Sequence, residues 1–193
     1  MIINIMTNSE KTIFEGISNK GTKYIIRYPI IEDLTEMHRF INEISREKTY
    51  VRFQGEEITL EEEKDFLTGE LTKIEKRLSV QLAVFIGNKL IGVSGIDMQD
   101  KTSKHVGVFG IMLGKEYRNE GIGKILMQKV LEEAEKEIPT LKIITLSCHG
   151  DNVKAETMYE KFGFKVYGNL PGGIVRGAKY VDHIYMYKII ASI

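Results

Sequence analysis

The chain has 193 residues, of which 42% are hydrophobic and 28% are charged, a composition that suits one globular domain with a single core. Its 27 basic and 27 acidic residues give a formal net charge of +0, so the composition favours neither nucleic acid nor an anionic membrane as a partner. One cysteine excludes an intrachain disulfide, the four histidines are scattered, and no apolar run approaches the ~20 residues of a membrane helix; we expect no metal and a cytoplasmic location.

The N-terminal part of the chain divides into an extension and the start of a domain. Residues 1–22 are polar and weakly patterned, so we interpret them as an N-terminal extension with a short hairpin around Thr12–Ile17. One domain is expected over residues 23–190. Its first strand is predicted at Lys23–Pro29, and Asp33 is placed to cap a helix whose apolar residues recur at helical spacing.

The middle of the chain carries the clearest local signals. Thr59 begins a capping box that opens a second helix. Two strands, Val80–Ile86 and Leu90–Met98, are joined by a two-residue turn typical of a hairpin. A glycine-rich strand at Val106–Leu113 precedes a strongly periodic helix at Gly121–Glu137.

The C-terminal part continues the alternation of strands and helices. Lys142–Cys148 predicts a strand, and an apolar stripe that includes Tyr159 predicts a helix after it. Strands at Gly163–Tyr167 and Val181–Ile190 end the domain around the glycine-rich segment Leu170–Ile174, which is either a mobile lid or a long hairpin connection. The order of elements predicts a mixed α/β sheet in one domain.

A glycine-bearing loop joins the glycine-rich strand to the periodic helix. A helix N-terminus offers unpaired backbone N–H groups and a partial positive charge, which suits a phosphate. Gly121 and Gly123 lack Cβ atoms, so phosphate oxygens can approach the backbone, and Arg118 and Lys124 can add charge-assisted bonds. The spacing fits neither a Walker loop nor a dinucleotide fingerprint, because Arg118 and Leu126 stand where those motifs need glycine.

This loop and its neighbours resemble a known family. The six residues from Arg118 to Gly123 match Q/R-x-x-G-x-G/A, similar to the acyl-CoA signature of the GNAT superfamily of N-acetyltransferases. Phe109–Leu113 looks like the fourth strand of that family, and the segment from Asn152 to Phe164 is similar to its N-x-x-A-x-x-x-Y-x-K-x-G-F. The resemblance implies an α/β domain of the α+β type, with a central mixed, mostly antiparallel sheet flanked by helices and splayed between strands 4 and 5.

The resemblance also implies acetyl-CoA as co-substrate, with no metal. Its pantetheine arm would pair with the main chain of Ile111 and Leu113 as an added strand does. Tyr159 is the implied general acid that protonates the departing thiolate; the alternative is a core residue, because Tyr159 also belongs to the apolar stripe of its helix. The implied cofactor-binding residues are Ile111, Met112, Leu113, Arg118, Asn119, Glu120, Gly121, Ile122, Gly123, Lys124, Asn152, Ala155, Tyr159 and Lys161.

The general base stays open at this point. Many family members carry a glutamate on the fourth strand, where this chain has Val108 and Phe109. His149 and Asp182 are candidates, and deprotonation through ordered water without a single essential base is the favoured hypothesis. Asp182 lies in a segment similar to the G-K-Y-x-D of ribosomal-protein and polyamine acetyltransferase branches, so it would otherwise orient the substrate amine.

The acceptor side is expected between the first two helices and the last hairpin. Glu43, Tyr50, Phe53 and Asp182 supply the carboxylates and aromatic rings that suit an amine. We therefore expect an enzyme that transfers acetyl to a primary amine of a small molecule or a peptide N-terminus, by direct attack in a ternary complex, because Cys148 in a core strand is a poor acyl carrier. The alternatives are a non-catalytic CoA-binding regulatory module and a nucleotide-binding protein; a homodimer is compatible with either expectation.

Overall fold

A computed structural model describes residues 12–191 of the chain. Within that range the helices are α1 (Leu34–Arg46), α2 (Leu60–Glu75), α3 (Ile122–Glu137) and α4 (Val153–Lys161). The strands are β1 (Thr12–Ile17), β2 (Lys23–Arg27), β3 (Ser79–Ile86), β4 (Lys89–Met98), β5 (Val106–Leu113), β6 (Ile143–His149), β7 (Lys165–Arg176) and β8 (Lys179–Ile189). No helix of the described residues is long and apolar enough to cross a membrane.

The strands form one sheet in the order β1-β2-β3-β4-β5-β6-β8-β7. All neighbours are antiparallel except β5 and β6, which are parallel and pair only over Val106–Val108 and Ile143–Thr145. From Phe109 onward β5 is paired with β4 alone. The sheet therefore opens between its two parallel strands, which confirms the expected splayed α/β architecture.

Both faces of the central strands are covered, so β3 is buried along nearly its whole length. On one face, Leu126 and Val130 of α3 pack in the larger core cluster with Leu82 of β3. On the other face, Ile44 of α1 and Leu67 of α2 pack in a second cluster. Burying a side chain of this size contributes roughly 2 kcal/mol, so the two layers fix the sheet and the positions of the helix ends.

The entry into α1 differs from the sequence-based expectation. Asp33 does precede α1, but its carboxylate makes no cap bond to that helix. It accepts the backbone N–H of Ile30 at 2.9 Å and forms two 2.7 Å bonds with the guanidinium of Arg27. Arg27 also lies 4.0 Å from the centroid of the Phe85 ring. The charged partner competes successfully for the carboxylate, because a buried ion pair needs both members.

Two local predictions from the sequence are confirmed, and a third is confirmed in part. The Thr59 hydroxyl accepts the N–H of Glu62, whose carboxylate accepts the N–H of Thr59, so the capping box of α2 is confirmed. The turn at residues 87–88 joins β3 to β4 as predicted. Thr12–Ile17 does belong to a hairpin, but its partner is β2, so the predicted extension contributes the edge strand β1.

The predicted lid or connection near the C-terminus is instead part of a strand. β7 runs through Leu170–Ile174 with a register shift there, and the chain turns only at residues 177–178. The Asp182 carboxylate accepts the N–H of Gly172 and the side-chain amide of Asn169, both at 3.0 Å, which supports the irregular stretch. Pro171 is tolerated because β7 is an edge strand and the ladder is interrupted at this point.

Candidate functional site

A cleft lies where β5 and β6 separate. Ile111, Met112 and Leu113 are half-buried and pair on one side with β4, and β6 does not pair with them on the other side. An unpaired strand edge presents N–H and C=O groups that an extended ligand can use as an added strand would. These three residues therefore form a strand edge that β6 leaves unpaired.

The N-terminus of α3 stands at one end of this cleft. Gly121 precedes the helix with φ of 84°, in the left-handed region, and has no side chain to cap it. Inside an α-helix the first N–H groups lack partners, so those of Ile122, Gly123 and Lys124 point out of the helix end. The Lys124 side chain is exposed. This helix end has the partial positive charge that binds phosphate.

The side chain of Glu120 contacts the turn between β1 and β2. Its buried carboxylate accepts a 2.7 Å hydrogen bond from Ser18 and forms a 2.9 Å ion pair with Lys20. These contacts hold the pKa of the Glu120 carboxyl below its usual range, Lys20 contributing most. The backbone carbonyl of Glu120 also accepts the N–H of Asn19 at 3.0 Å. The turn between β1 and β2 therefore supports the loop, which the sequence did not indicate.

Arg118 and Asn119 also have partners within the protein. Arg118 donates from Nε to the carbonyl of Leu113 at 2.8 Å and pairs with Glu47 at 2.5 Å. Asn119 has φ of 64°, and its side-chain oxygen accepts a 3.3 Å bond from Lys154. The loop is thus held in shape by side chains from three other parts of the chain.

The predicted residues of the α4 segment differ in their surroundings. Asn152 is the N-cap of this helix, its side-chain oxygen accepting the N–H of Ala155 at 3.3 Å. Both residues are half-buried, whereas Lys161 is exposed. The capping role of Asn152 could have been recognised from the sequence, since asparagine before a helical stripe is a common cap.

Tyr159 lies deeper, among aromatic rings. It is 7% exposed and packs against Phe109 and Phe164, with ring centroids 6.1 and 6.3 Å away. Burial, and to a smaller extent the nearby Cys148 thiol, raise the pKa of Tyr159 well above its usual value, so the hydroxyl keeps its proton at neutral pH. Burial also raises the pKa of Cys148 to about 11, which leaves it a weak nucleophile.

On the acceptor face, two predicted residues meet. The rings of Tyr50 and His149 lie edge to face with centroids 5.6 Å apart, and the guanidinium of Arg176 is 4.7 Å from the Tyr50 centroid. Asp151 forms an ion pair with Arg176. His149 is buried, and its Nδ1 has no hydrogen-bond partner among residues 12–191. Burial first, and then Arg176, lower the pKa of His149, so the ring is neutral at pH 7.

The other predicted acceptor residues make different contacts, although the backbone carbonyl of Asp182 accepts the N–H of Gly150, next to His149, at 2.8 Å. Glu43 pairs with Arg39 and lines a separate groove of about 360 Å³. Phe53 is half-buried in the loop between α1 and α2. Asp182 supports β7, and its bonds to Asn169 and Gly172 lower the pKa of its carboxyl. Among residues 12–191 no group of three or more His, Cys, Asp or Glu side chains could hold a metal ion.

Known proteins match both the sequence and the fold. The sequence model of the acetyltransferase (GNAT) family matches residues 37–164. The L-amino acid N-acetyltransferase AaaT of Escherichia coli is 30% identical over 110 residues, which are 56% of this chain and 67% of the relative.

Solved structures extend the comparison to nearly the whole fold. The crystal structure of a GNAT-family acetyltransferase from Streptococcus pneumoniae is 27% identical with a TM-score of 0.79, over 86% of this chain and 99% of that one. Ribosomal-protein-alanine N-acetyltransferase from Brucella melitensis gives 17% identity and a TM-score of 0.73, over 86% and 99% of the two chains. At 17% identity, the similarity to the Brucella melitensis structure shows the fold alone.

Replacing Gly121 tests the anion site at the start of α3. We expect Gly121→Ala to lower the free energy of unfolding by about 1 kcal/mol, because a left-handed conformation is strained with a Cβ atom. We also expect coenzyme A to bind at least ~10-fold more weakly in calorimetry, since the strained turn, with a Cβ 3.4 Å from the side-chain amide of Asn19, would shift the N–H groups of the helix end.

Gly69→Ala is the matched control. Gly69 lies on the exposed face of α2, and a Cβ there meets nothing within 4 Å. It should stabilise the protein by roughly 0.5–1 kcal/mol and leave the affinity for coenzyme A unchanged. Equal affinity in both variants would contradict a role of the Gly121 backbone in ligand binding.

Proposed function

The chain belongs to the acetyltransferase (GNAT) family and is an acetyl-CoA-dependent acyltransferase, and from that premise we propose that it acetylates a primary amine of a small molecule or a peptide N-terminus by direct attack. The observation that carries the proposal is the cleft between β5 and β6. It has an uncapped helix N-terminus at Gly121, and Tyr159 of α4 packs on Phe109, the residue of β5 at which the two strands separate. The two features match the phosphates and the thioester sulfur of one extended donor.

The residues present fit acetyl-CoA along its length. The N–H groups at the start of α3 would hold its pyrophosphate, and the free edge of β5 at Ile111 and Leu113 would pair with its pantetheine amides. Ala155, with no side chain beyond Cβ, leaves room for the arm beside α4. When bound, acetyl-CoA supplies an activated acyl group, and the protein aligns it with the acceptor amine.

The chemistry proposed for Tyr159 is proton donation. The amine nitrogen attacks the thioester carbon, the C–S bond breaks, and the departing thiolate takes the proton of the Tyr159 hydroxyl, which solvent then restores. Direct transfer is supported by Cys148, whose pKa of about 11 keeps it a thiol and disfavours an acyl-cysteine intermediate.

The substrate amine is proposed to lose its proton through ordered water. Val108 stands on β5 where a glutamate base is common in this family, and its side chain is 42% exposed. The Nδ1 of His149 is buried, with Tyr50 against the ring, and the Asp182 carboxylate is occupied by β7. Val108 has no proton-accepting group, the unpartnered nitrogen of the neutral His149 ring is buried, and the Asp182 carboxylate already accepts two hydrogen bonds, so ordered water is the favoured proton acceptor.

We further propose that the amine acceptor carries a carboxylate. Lys48 and Arg176 line an open groove of about 500 Å³ with Gln54, Val175 and Gly177, beside the pair formed by Tyr50 and His149. Lys48 supplies a cation that suits a carboxylate, whereas Arg176 is paired with Asp151 and the side-chain amide of Gln54 donates to backbone carbonyls of its own loop. The Escherichia coli relative named as an L-amino acid N-acetyltransferase supports the same class of acceptor.

The activity is tested by thiol release from acetyl-CoA with matched amines. We expect an L-amino acid to react about 10-fold faster than its amide or its decarboxylated amine, because only the acid presents a charged partner to the groove. Absence of thiol release with every amine and peptide, despite binding of acetyl-CoA, would favour the non-catalytic regulatory module. Equal rates within each matched set would refute only the proposal that the acceptor carries a carboxylate, and not the acetyl transfer itself.

Tyr159→Phe tests the proton donor. We expect turnover to fall about 100-fold between pH 7 and 9, with the affinity for acetyl-CoA unchanged, because only the hydroxyl is removed. Tyr28→Phe is the control, since Tyr28 is also buried and its hydroxyl contacts Glu133 at 3.3 Å. Unchanged turnover of the Tyr159 variant across this range would refute the role.

His149→Gln tests the water-mediated route. We expect turnover within about 3-fold of the wild type and a rate–pH curve of the same shape, because the proton leaves through water. His105→Asn serves as a comparison, because it removes an imidazole that is partly buried and lies just before β5. Loss of an acid limb only in the His149 variant would assign the base to His149 instead.

A further inference from the structure

Glu47 connects two loops that belong to opposite sides of the cleft. It immediately follows α1 and begins the loop that carries Tyr50 and Phe53 on the acceptor side. Its Oε1 accepts the backbone N–H of Lys115 at 3.1 Å, and its Oε2 pairs with the guanidinium of Arg118 at 2.5 Å. One carboxylate therefore holds two points of the phosphate loop.

The guanidinium of Arg118 makes contacts with two other residues of the protein. Besides the pair with Glu47, its Nε donates to the carbonyl of Leu113 at 2.8 Å, at the end of β5. The Arg118 side chain is 32% exposed and that of Glu47 18%, so the pair is partly shielded from water. A guanidinium held by a carboxylate and a carbonyl has its charge balanced and its orientation fixed.

We infer that Glu47 is a positioning residue for the donor site, and that Arg118 acts through it by shaping the loop instead of binding phosphate with its side chain. Glu47 holds Lys115 and Arg118, and Arg118 in turn holds the carbonyl of Leu113. These contacts fix the loop before Gly121, so that the N–H groups at the start of α3 face the cleft. The inference rests on the proposed function, because coenzyme A is the ligand whose phosphates these N–H groups would meet.

The two possible roles of Arg118 predict opposite effects at Glu47. If Arg118 were a direct phosphate ligand, Glu47 would compete for the same guanidinium, and removing it would free a cation and delete a negative charge, so coenzyme A would bind more tightly. If Glu47 positions the loop, removing it lets the loop move, and binding becomes weaker. The sign of the change therefore separates direct binding from positioning.

The experiment is a double-mutant cycle with coenzyme A as the probe. Affinities are measured by calorimetry for the wild type, Glu47→Ala, Arg118→Ala and the double variant. We expect each single variant to bind about 10-fold more weakly and the double variant no more weakly than the weaker single one, because both remove the same brace. Glu116→Ala is the matched control: it deletes an exposed carboxylate from the same loop and should stay within about 3-fold of the wild type.

Thermal unfolding without ligand provides an independent readout. The decreases in Tm of the two single variants should not add in the double variant, since the pair is already formed in the free protein. Tighter binding by Glu47→Ala, or strictly additive losses, would overturn the role of Glu47 while leaving the function intact. A folded wild-type protein that binds no coenzyme A would overturn the proposed function itself.

Discussion

The short parallel pairing of β5 with β6 is the constraint on which the whole site depends. Three residue pairs hold the strands together, and Gly107 lies in this stretch, where a Cβ would come within 2.5 Å of Ile96 and 2.9 Å of Leu141. At Gly110, past the pairing, a Cβ would meet nothing within 4 Å. Because β5 is closely packed at Gly107 and open at Gly110, one strand belongs to the core at its start and lines the cleft at its end.

The anion site proposed at the start of α3 consists mainly of backbone groups. The charged side chains of Arg118 and Glu120 are both balanced by partners within the protein, and Lys124 projects into solvent. What remains at the cleft is backbone: N–H groups at the end of a helix, carrying about half a positive charge. Such a site is fixed by chain geometry, which explains why so many side-chain contacts serve the loop's shape.

Features set by neighbouring residues could be predicted from the sequence. The capping box at Thr59, the β3–β4 turn and the apolar stripe of α3 are local, and the resemblance supplied the opening of the sheet. Partners distant along the chain could not be predicted: Ser18 and Glu120 are 102 residues apart, and Glu47 and Arg118 are 71. The predicted cap of α1 was wrong because the Asp33 carboxylate pairs with Arg27 instead. The predicted lid or connection at Leu170–Ile174 was wrong because Asp182 stabilises a glycine-rich strand there.

The buried carboxylate of Glu120 ties the evolution of two distant segments together. Its partners, Ser18 and Lys20, sit in the turn of an edge hairpin far outside the signature motif. A lineage that shortens or loses this turn leaves an anion enclosed without its neutralising neighbours. Selection would then favour a smaller or uncharged residue at position 120, so the second variable position of the motif should covary with the length of the first hairpin.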